Sequence, residues 1–536
     1  MVDEVGDVTG SRRGNEMAKG REQSDGLVVP QGRRKATPTA AWRGGKGTTA
    51  SERVEQLELF RGQPTARKGS RATEVQAYLH RSAHRCDPPR TTTGPTPPAM
   101  TMEEVASETN LRRAFERVAS NRGAPGPDRR TIAVVREHLD VLMPVLIAEL
   151  LDGSYRPGAI RRVWIPKPGG GERGLGIPNV VDRVVQQAVH QVLSPSYEPT
   201  FHDASHGFRP GRSCHTAIAA ASTHLEEGYR WVVDIDLEKF FDRVHHQRLL
   251  ARLEQRVGDR RLIQLIRRML KARVVMPDGV VVSNDEGTPQ GGPLSPLLSN
   301  IVLDELDREL ARRGHRFVRY ADDCNIYVRS ERAGQRVMAS LTRFIERRLR
   351  LSVNGGKSAV ARPNRRHFVG FSLWWNAKAG RVEVLLSKRS RDRMKAKIRQ
   401  LTPRTWGGSF DDCLARVNAY IRGWVGFFGI CTPLAGREIR KIDGHLRRRL
   451  RALLLRQRGR KRHIARWFIR LGVRPKTAYL YVYRGATSLW ALSRTSATHV
   501  ALSNAYLAKR GLLSIDTMVK AARSNRHRPE QLMLTG

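Results

Sequence analysis

The stretch Phe317-Val318-Arg319-Tyr320-Ala321-Asp322-Asp323-Cys324-Asn325-Ile326-Tyr327-Val328 constrains the fold more than any other. Two strand-like runs flank a short polar turn, so the pattern predicts a β-hairpin with two adjacent carboxylates at its tip. Like charges this close resist joint ionisation unless a cation joins them. Hard oxygen ligands favour Mg²⁺. Taken alone, the same residues also suit an ordinary acidic turn.

Two further segments add chemistry. In Trp231-Val232-Val233-Asp234-Ile235-Asp236-Leu237-Glu238-Lys239-Phe240-Phe241-Asp242, a short apolar strand delivers acids, and an aromatic pair follows. Asp234 and Asp236 share one strand face by period-two geometry. An acid on a buried strand is costly unless paired or metal-bound, which makes Asp236 a candidate ligand and leaves Asp234 open as a salt-bridging residue. In Gly287-Thr288-Pro289-Gln290-Gly291-Gly292-Pro293-Leu294-Ser295-Pro296, glycines permit close backbone approach to a ligand. A helix is expected to start at Ser295-Pro296, with Pro in its first position.

Around these motifs the pattern predicts strands at 162–165, 231–237, 280–283, 317–320 and 325–328. Helices are predicted from Met102 to Val118, over 132–151, 181–193, 214–227, 247–254, 260–270, 296–313 and 333–349. This is an α+β body with an antiparallel sheet component. A break follows Leu401, and the chain beyond it is helical and basic. Residues 1–100 are rich in Gly, Ser, Thr, Arg and Pro and read as a disordered extension.

Charge names the class of partner. Lys and Arg total 96 against 51 acids, a net charge of +45. Residues 1–100 hold 17 basic and 11 acidic residues, so +39 belongs to the rest of the chain. Such an excess calls for a polyanion. Between Arg437 and His463 there are twelve Lys or Arg and two acids. Leu446, Leu450, Leu453 and Leu454 mark one side of that helix, and Arg447, Arg448, Arg449 and Arg451 are candidate RNA contacts on the other. Aromatic residues from Trp467 to Trp490 interleave with basic ones, which suits stacking on unpaired bases, with half of them expected in the core. The five cysteines form no C-x-x-C pair, so a zinc ribbon is not supported. No apolar run reaches membrane-spanning length, and the polar N-terminus does not read as a secretory signal, so a cytoplasmic protein without a membrane partner is expected.

In this order, the strand acid, the Gln-Gly-Gly-Pro-Leu-Ser-Pro loop and the Tyr-Ala-Asp-Asp hairpin resemble the reverse transcriptases. The fuller pattern is similar to the bacterial group II intron-encoded reverse transcriptase/maturases, in a form without an HNH endonuclease domain. The supporting blocks are Asn121 to Asp128, Ile165-Pro166-Lys167-Pro168, Arg173 to Pro178, His206 to Ser213, Leu351 to Ser358, Phe368 to Phe371 and Tyr420 to Phe428. One departure is Arg129, where the family usually has Gly.

The resemblance implies a right-hand polymerase fold, with fingers and palm over 101–375, a thumb or maturase domain over 376–463, and a nucleic-acid-binding region over 464–536. It implies two Mg²⁺ ions on Asp236, Asp322 and Asp323 with the carbonyl of Leu237. It places Arg173 and Lys167 on the triphosphate, Phe241 against the ribose, Gln290 and Gly291 in the nucleotide pocket, and Lys357 near primer phosphates. Trp424 is expected to contact RNA. The implied partners are intron RNA, an RNA template, a DNA primer or target DNA and dNTPs, with homodimer formation left open. Two other readings stay open: a splicing-only maturase, and a reverse transcriptase repurposed for phage defence.

Overall fold

The computed structural model describes residues 100–166, 171–484 and 487–526. The expected extension over 1–100 therefore lies outside the described residues, apart from Met100, and so does Lys167.

The first helix is broken in two, α1 (Met102–Ala106) and α2 (Glu108–Ser120), because Ser107 leaves helical geometry at φ −59°, ψ 135°. The second breaks at His138 into α3 (Ile132–Glu137) and α4 (Leu139–Leu151). A hairpin of β1 (Ile160–Pro166) and β2 (Glu172–Ile177) leads into α5 (Val180–Tyr197), which is buried on most sides. α6 (Cys214–Glu226) starts with a capping box between Ser213 and Thr216.

Next come β3 (Trp231–Ile235), α7 (His246–Glu254), α8 (Arg260–Leu270), β4 (Val274–Val275) and β5 (Val281–Val282). α9 (Ser295–Arg312) is followed by β6 (Arg316–Tyr320), β7 (Asp323–Val328), α10 (Glu331–Phe344) and β8 (Ala359–Ala361). The cap of α9 differs from expectation. Leu294 is the N-cap, and the Ser295 hydroxyl donates back to the carbonyl of Pro289 at 2.7 Å. A final hairpin, β9 (Phe371–Asn376) and β10 (Arg381–Leu386), precedes the helices α11 (Lys388–Leu401), α12 (Phe410–Phe428), α13 (Gly436–Arg458) and α14 (Lys461–Arg470). Five short helices finish the described chain: α15 (Pro475–Tyr479), α16 (Leu489–Leu492), α17 (Ser496–Ala501), α18 (Asn504–Lys509) and α19 (Ile515–Arg526).

The site is organised by the antiparallel sheet β6-β7-β3-β8. Strand alternation sends its side chains into two cores. Val233, Ile235, Phe317, Cys324, Ile326 and Val328 face the core built with α1–α5 and α7–α10. Val232, Val318 and Tyr327 face a second core, which continues through α6, β9 and β10 into α11–α19. One apolar core thus runs from the palm-like sheet across residues 375/376 and 463/464.

Candidate active site

Register places the acids. β3 pairs β7 with Asp234 opposite Asn325 and Ile235 opposite Cys324. Continuing by one residue sets Asp236 opposite Asp323, on the face shared with Val232 and Tyr327. The hairpin of β6 and β7 closes through Ala321-Asp322, with Tyr320 paired to Asp323. Ala321 has φ 56°, the left-handed conformation that a two-residue turn of the II′ kind needs at its first position. Strain of this sort, roughly 1–3 kcal/mol, persists only where the surroundings enforce it.

What enforces it here is a buried arginine. Arg319 and Asp307 are both 0% exposed and form an ion pair, with Nε to Oδ1 at 2.8 Å and Nη2 to Oδ2 at 2.5 Å. Arg319 also donates to Asn300 Oδ1 (3.0 Å), the Ala321 carbonyl (2.9 Å) and Ser205 Oγ (2.7 Å). All five guanidinium N–H groups therefore have an acceptor. Asn300 Nδ2 in turn donates to the Gly207 carbonyl at 2.9 Å. A Cβ on Gly207 would stand 2.2 Å from the Ala321 nitrogen, so only glycine lets this loop close on the turn.

A second clamp holds the other acid. The Asn354 N–H donates to the Asp236 carbonyl at 2.8 Å, the Asp236 N–H to Ser358 Oγ at 3.0 Å, and the Glu238 N–H to the Ser352 carbonyl at 2.8 Å. Leu237 sits buried between them, bridged to Val353, and these ladder bonds run through its neighbours, not through its own carbonyl. Lys357, from the same loop, is exposed and places Nζ 3.7 Å from Asp236 Oδ2. Asp234 is salt-bridged to Arg366 at 2.6 Å.

The electrostatics are those of crowded like charges. The pKa of Asp323 is pushed up to about 8 by the protein packed around it, then by Asp322, Asp234 and Asp236. Asp323 is nevertheless exposed, so water reaching it discounts the first cause, and the repulsion is the one to rest on. Burial also raises the pKa of half-buried Asp322; its backbone hydrogen bond and Arg173 oppose the rise, and Asp236 adds to it. Arg173, on the exposed end of β2, is therefore close enough to act on Asp322. Among the described residues, no three His, Cys, Asp or Glu side chains stand as a closed metal-holding group. The donor chemistry fits a hard cation all the same, because carboxylates that raise one another's pKa gain most from one.

The nucleotide-facing candidates surround these acids. Phe240 fills the core place, and Phe241 lies half-buried against it with ring centroids 5.2 Å apart. Gly287 allows its loop to close on this segment: the Thr288 N–H donates to the Phe241 carbonyl at 2.6 Å, and a Cβ on Gly287 would meet that carbonyl at 2.7 Å. His246 is structural here, contacting the Gly287 carbonyl at 2.6 Å. Gln290 and Gly291 dock on β2. The Gly176 N–H donates to the Gln290 carbonyl at 2.8 Å, and Gly291 has φ 132° with the Gly176 carbonyl where a Cβ would go.

Five expected RNA contacts need correction. Trp424 is 3% exposed and packs on Phe428 inside α12, so it belongs to the core; an indole there buries more area than any surface contact would leave it. The four arginines do not form an open charged face either. Arg447 pairs with buried Asp443 at 2.6 Å, Arg448 lies 3.9 Å over the Trp490 ring, and Arg449 donates to Thr402 Oγ1 at 2.6 Å. Arg451 is 4% exposed and donates to the Leu502 carbonyl at 2.7 Å. The reason is that α13 is a central helix, packed by α11, α16 and α19 on sides that the leucine pattern alone left open. The exposed basic residues lie further on: Arg456, Arg458, Arg460, Lys461, Arg462, Arg466 and Arg470. Beside them Tyr479 and Tyr483, 45% and 47% exposed, stack on each other, while Trp467 and Phe468 are core.

The sequence reading missed Arg319, Asp307, Asn300, Ser205 and Gly207 as the frame of the turn. A signal existed: Arg319 follows Phe317 on an inward strand face, and Asp307 falls on the apolar stripe Leu303, Leu306, Leu310. Opposite charges at two positions patterned for the core point to a buried pair.

Comparison with known proteins agrees with this geometry. Residues 165–373 match the reverse transcriptase (RNA-dependent DNA polymerase) family, and residues 391–471 match the group II intron, maturase-specific domain. Protein YkfC of Escherichia coli (strain K12) is 42% identical over 200 residues, covering 36% of this chain and 52% of that one. The group II intron-encoded protein LtrA of Lactococcus lactis subsp. cremoris is 38% identical over 200 residues, covering 36% of this chain and 32% of that one. The chain thus spans about half the length, or less, of these curated relatives. No helix among the described residues is long and apolar enough to cross a membrane. A match to the reverse transcriptase family is thus followed along the chain by a match to the group II intron maturase-specific domain, the order that the sequence blocks resemble.

Proposed function

We propose that the chain is an RNA-directed DNA polymerase that also assists splicing and mobility of a group II intron. The observation that carries the reading is the meeting of Asp236, Asp322 and Asp323 at one end of the sheet, with Arg173 acting on Asp322 from β2. Asp236, Asp322 and Asp323, with the Leu237 carbonyl, would hold two Mg²⁺ ions. Bound there, the ions would lower the pKa of a primer 3′-hydroxyl and stabilise the departing pyrophosphate.

The chain's own residues bind and orient. Arg173 and Lys167 take the triphosphate, since guanidinium geometry suits phosphate oxygens. Phe241 presents a flat ring to the sugar and excludes a 2′-hydroxyl. Gln290 and Gly291 shape the nucleotide pocket by docking the loop on β2. Lys357 holds Asp236 and lies where primer phosphates pass. Fingers and palm over 101–375, thumb over 376–463 and a nucleic-acid-binding region over 464–536 follow from this reading. So do RNA template, DNA primer or target and dNTPs as partners, and a cytoplasmic place. The exposed basic stretch Arg456 to Arg470 and the Tyr479–Tyr483 pair would hold intron RNA through phosphates and unpaired bases.

The test is primer extension on an RNA template with dNTPs and Mg²⁺. Asp236→Ala is expected to abolish extension while the protein melts as wild type. Extension by this variant at near the wild-type rate would remove the assignment.

A further inference from the structure

Three carboxylates lie along one face of the sheet. Asp234 and Asp236 share it by strand alternation, and Asp323 stands opposite Asp236. Asp234 pairs with Asn325, so Asp323 is its diagonal neighbour, about 7–8 Å away between Cα atoms. The charges agree, since Asp234 raises the Asp323 pKa more than Asp236 does. Asp234 is therefore an acid beside the metal-holding set, and the polymerase reading gives it no part.

A free carboxylate in that place is a liability. Mg²⁺ demands near-octahedral oxygen geometry and is usually bound through one or two carboxylates. A further acid alongside competes for the ion and adds a negative charge that only another cation offsets.

Arg366 commits this acid. Its Nε donates to Asp234 Oδ2 at 2.8 Å, and its Nη2 stands 2.6 Å from the same oxygen. Nη2 also donates to the Lys357 carbonyl, so the guanidinium is pinned on two sides. The backbone that delivers it is fixed as well. The Arg366 N–H donates to the Pro363 carbonyl at 3.1 Å, and the adjacent His367 Nδ1 lies 2.8 Å from the hydroxyl of Ser387, the N-cap of α11. The cation beside Asp236 is of another kind. The Lys357 side chain is 67% exposed and stands 3.7 Å away on a flexible stem, so an arriving metal ion displaces it easily. The side chains of Arg366 and Asp234 are 26% and 15% exposed, and a pair so withdrawn is screened less. The loose cation meets the acid that must bind metal, and the tight one meets the acid that must not.

We propose that Arg366 is a positioning residue of the polymerase site, which withholds Asp234 from the metal ions and so leaves Asp236, Asp322 and Asp323 as the set that holds them. This rests on the polymerase reading.

The full chain is compared as wild type, Arg366→Met and Asp234→Asn/Arg366→Met. Mn²⁺ binding is followed by electron paramagnetic resonance of the free ion, without nucleic acid, and primer extension is measured on RNA in Mg²⁺. Arg366→Met is expected to bind Mn²⁺ about tenfold more tightly, because it uncovers a unit charge close to the other acids. It is also expected to extend about tenfold more slowly at saturating Mg²⁺, while the double variant returns both quantities toward wild type. Should Arg366→Met melt below the assay temperature, Arg366→Gln, which keeps a donor for Asp234 but no charge, takes its place with the same outcomes. Mn²⁺ affinity unchanged by loss of the arginine would overturn the proposal. Slow extension that the double variant does not recover would also overturn it, by placing the effect of Arg366 in the Lys357 loop. A wild-type chain that extends no primer, with the Mn²⁺ difference intact, would break the polymerase reading and leave the restraint on Asp234 standing.

Discussion

Arg319 in the palm-like sheet and Arg451 in the C-terminal helices are both buried arginines, and they are held in different ways. Arg319 has a carboxylate partner and an acceptor for every N–H. Arg451 is met by a carbonyl and an amide oxygen, with Arg447 rather than an acid as the charge that acts on it. The palm arginine is neutralised from within because its task is to fix a strained turn. The C-terminal arginine keeps its charge uncompensated, as suits a region that meets a polyanion.

The largest effect expected from this contrast lies in the palm. Asp307→Ala strands the buried Arg319 charge and should cost about 3–5 kcal/mol in denaturant unfolding. Asp307→Leu combined with Arg319→Met should cost clearly less. A cost under ~1 kcal/mol for Asp307→Ala would mean that the turn does not depend on the pair. Arg451→Met should cost about 2 kcal/mol, since it loses two hydrogen bonds of a charged donor but relieves repulsion with Arg447. Equal costs at the two sites would erase the contrast.

A smaller effect belongs to the acids at the end of the sheet. Repulsion from Asp322, Asp234 and Asp236 holds the Asp323 pKa above its ordinary 3.8. Above that ordinary value the folded chain holds a proton that the unfolded chain releases, so this group's contribution to stability falls as pH rises through and past 3.8. Without divalent ions, Asp323→Asn should therefore raise the melting temperature by about 2 °C at pH 8 and leave it unchanged near pH 4. A difference from wild type that does not vary with pH would remove the repulsion argument. The smallest effect is at Arg129, where the family's usual glycine is replaced and φ is 58°. Arg129→Gly should stabilise by about 0.5 kcal/mol, the relief of strain exceeding the entropy that glycine costs. Destabilisation would show that the Arg129 side chain contributes more than its backbone loses.

The acids were legible because their signal is local. A period-two strand, a two-residue turn and an Asp-Asp tip need no knowledge of the rest of the chain, and Asp236 came from the same alternation. Asp234 was rightly left open as a salt-bridging residue, since its partner Arg366 is 132 residues away. The RNA face was misplaced for a related reason. The leucines of α13 mark one buried side, but the packing of α16 and α19 on other sides depends on chain 40 to 80 residues further on. The strands β8, β9 and β10 were missed because each is short or mixed in polarity and takes its meaning from its partner.

The central claim is that polymerisation belongs to the sheet acids and intron binding to the basic helices. It is tested most directly by one protein in two assays: Asp322→Ala/Asp323→Ala, measured for primer extension on RNA and for splicing of its intron at low magnesium. The expected result is extension reduced ~10³-fold or more, with splicing and RNA affinity near wild type. Extension that persists, or splicing that fails while the protein stays folded and RNA-bound, would contradict it.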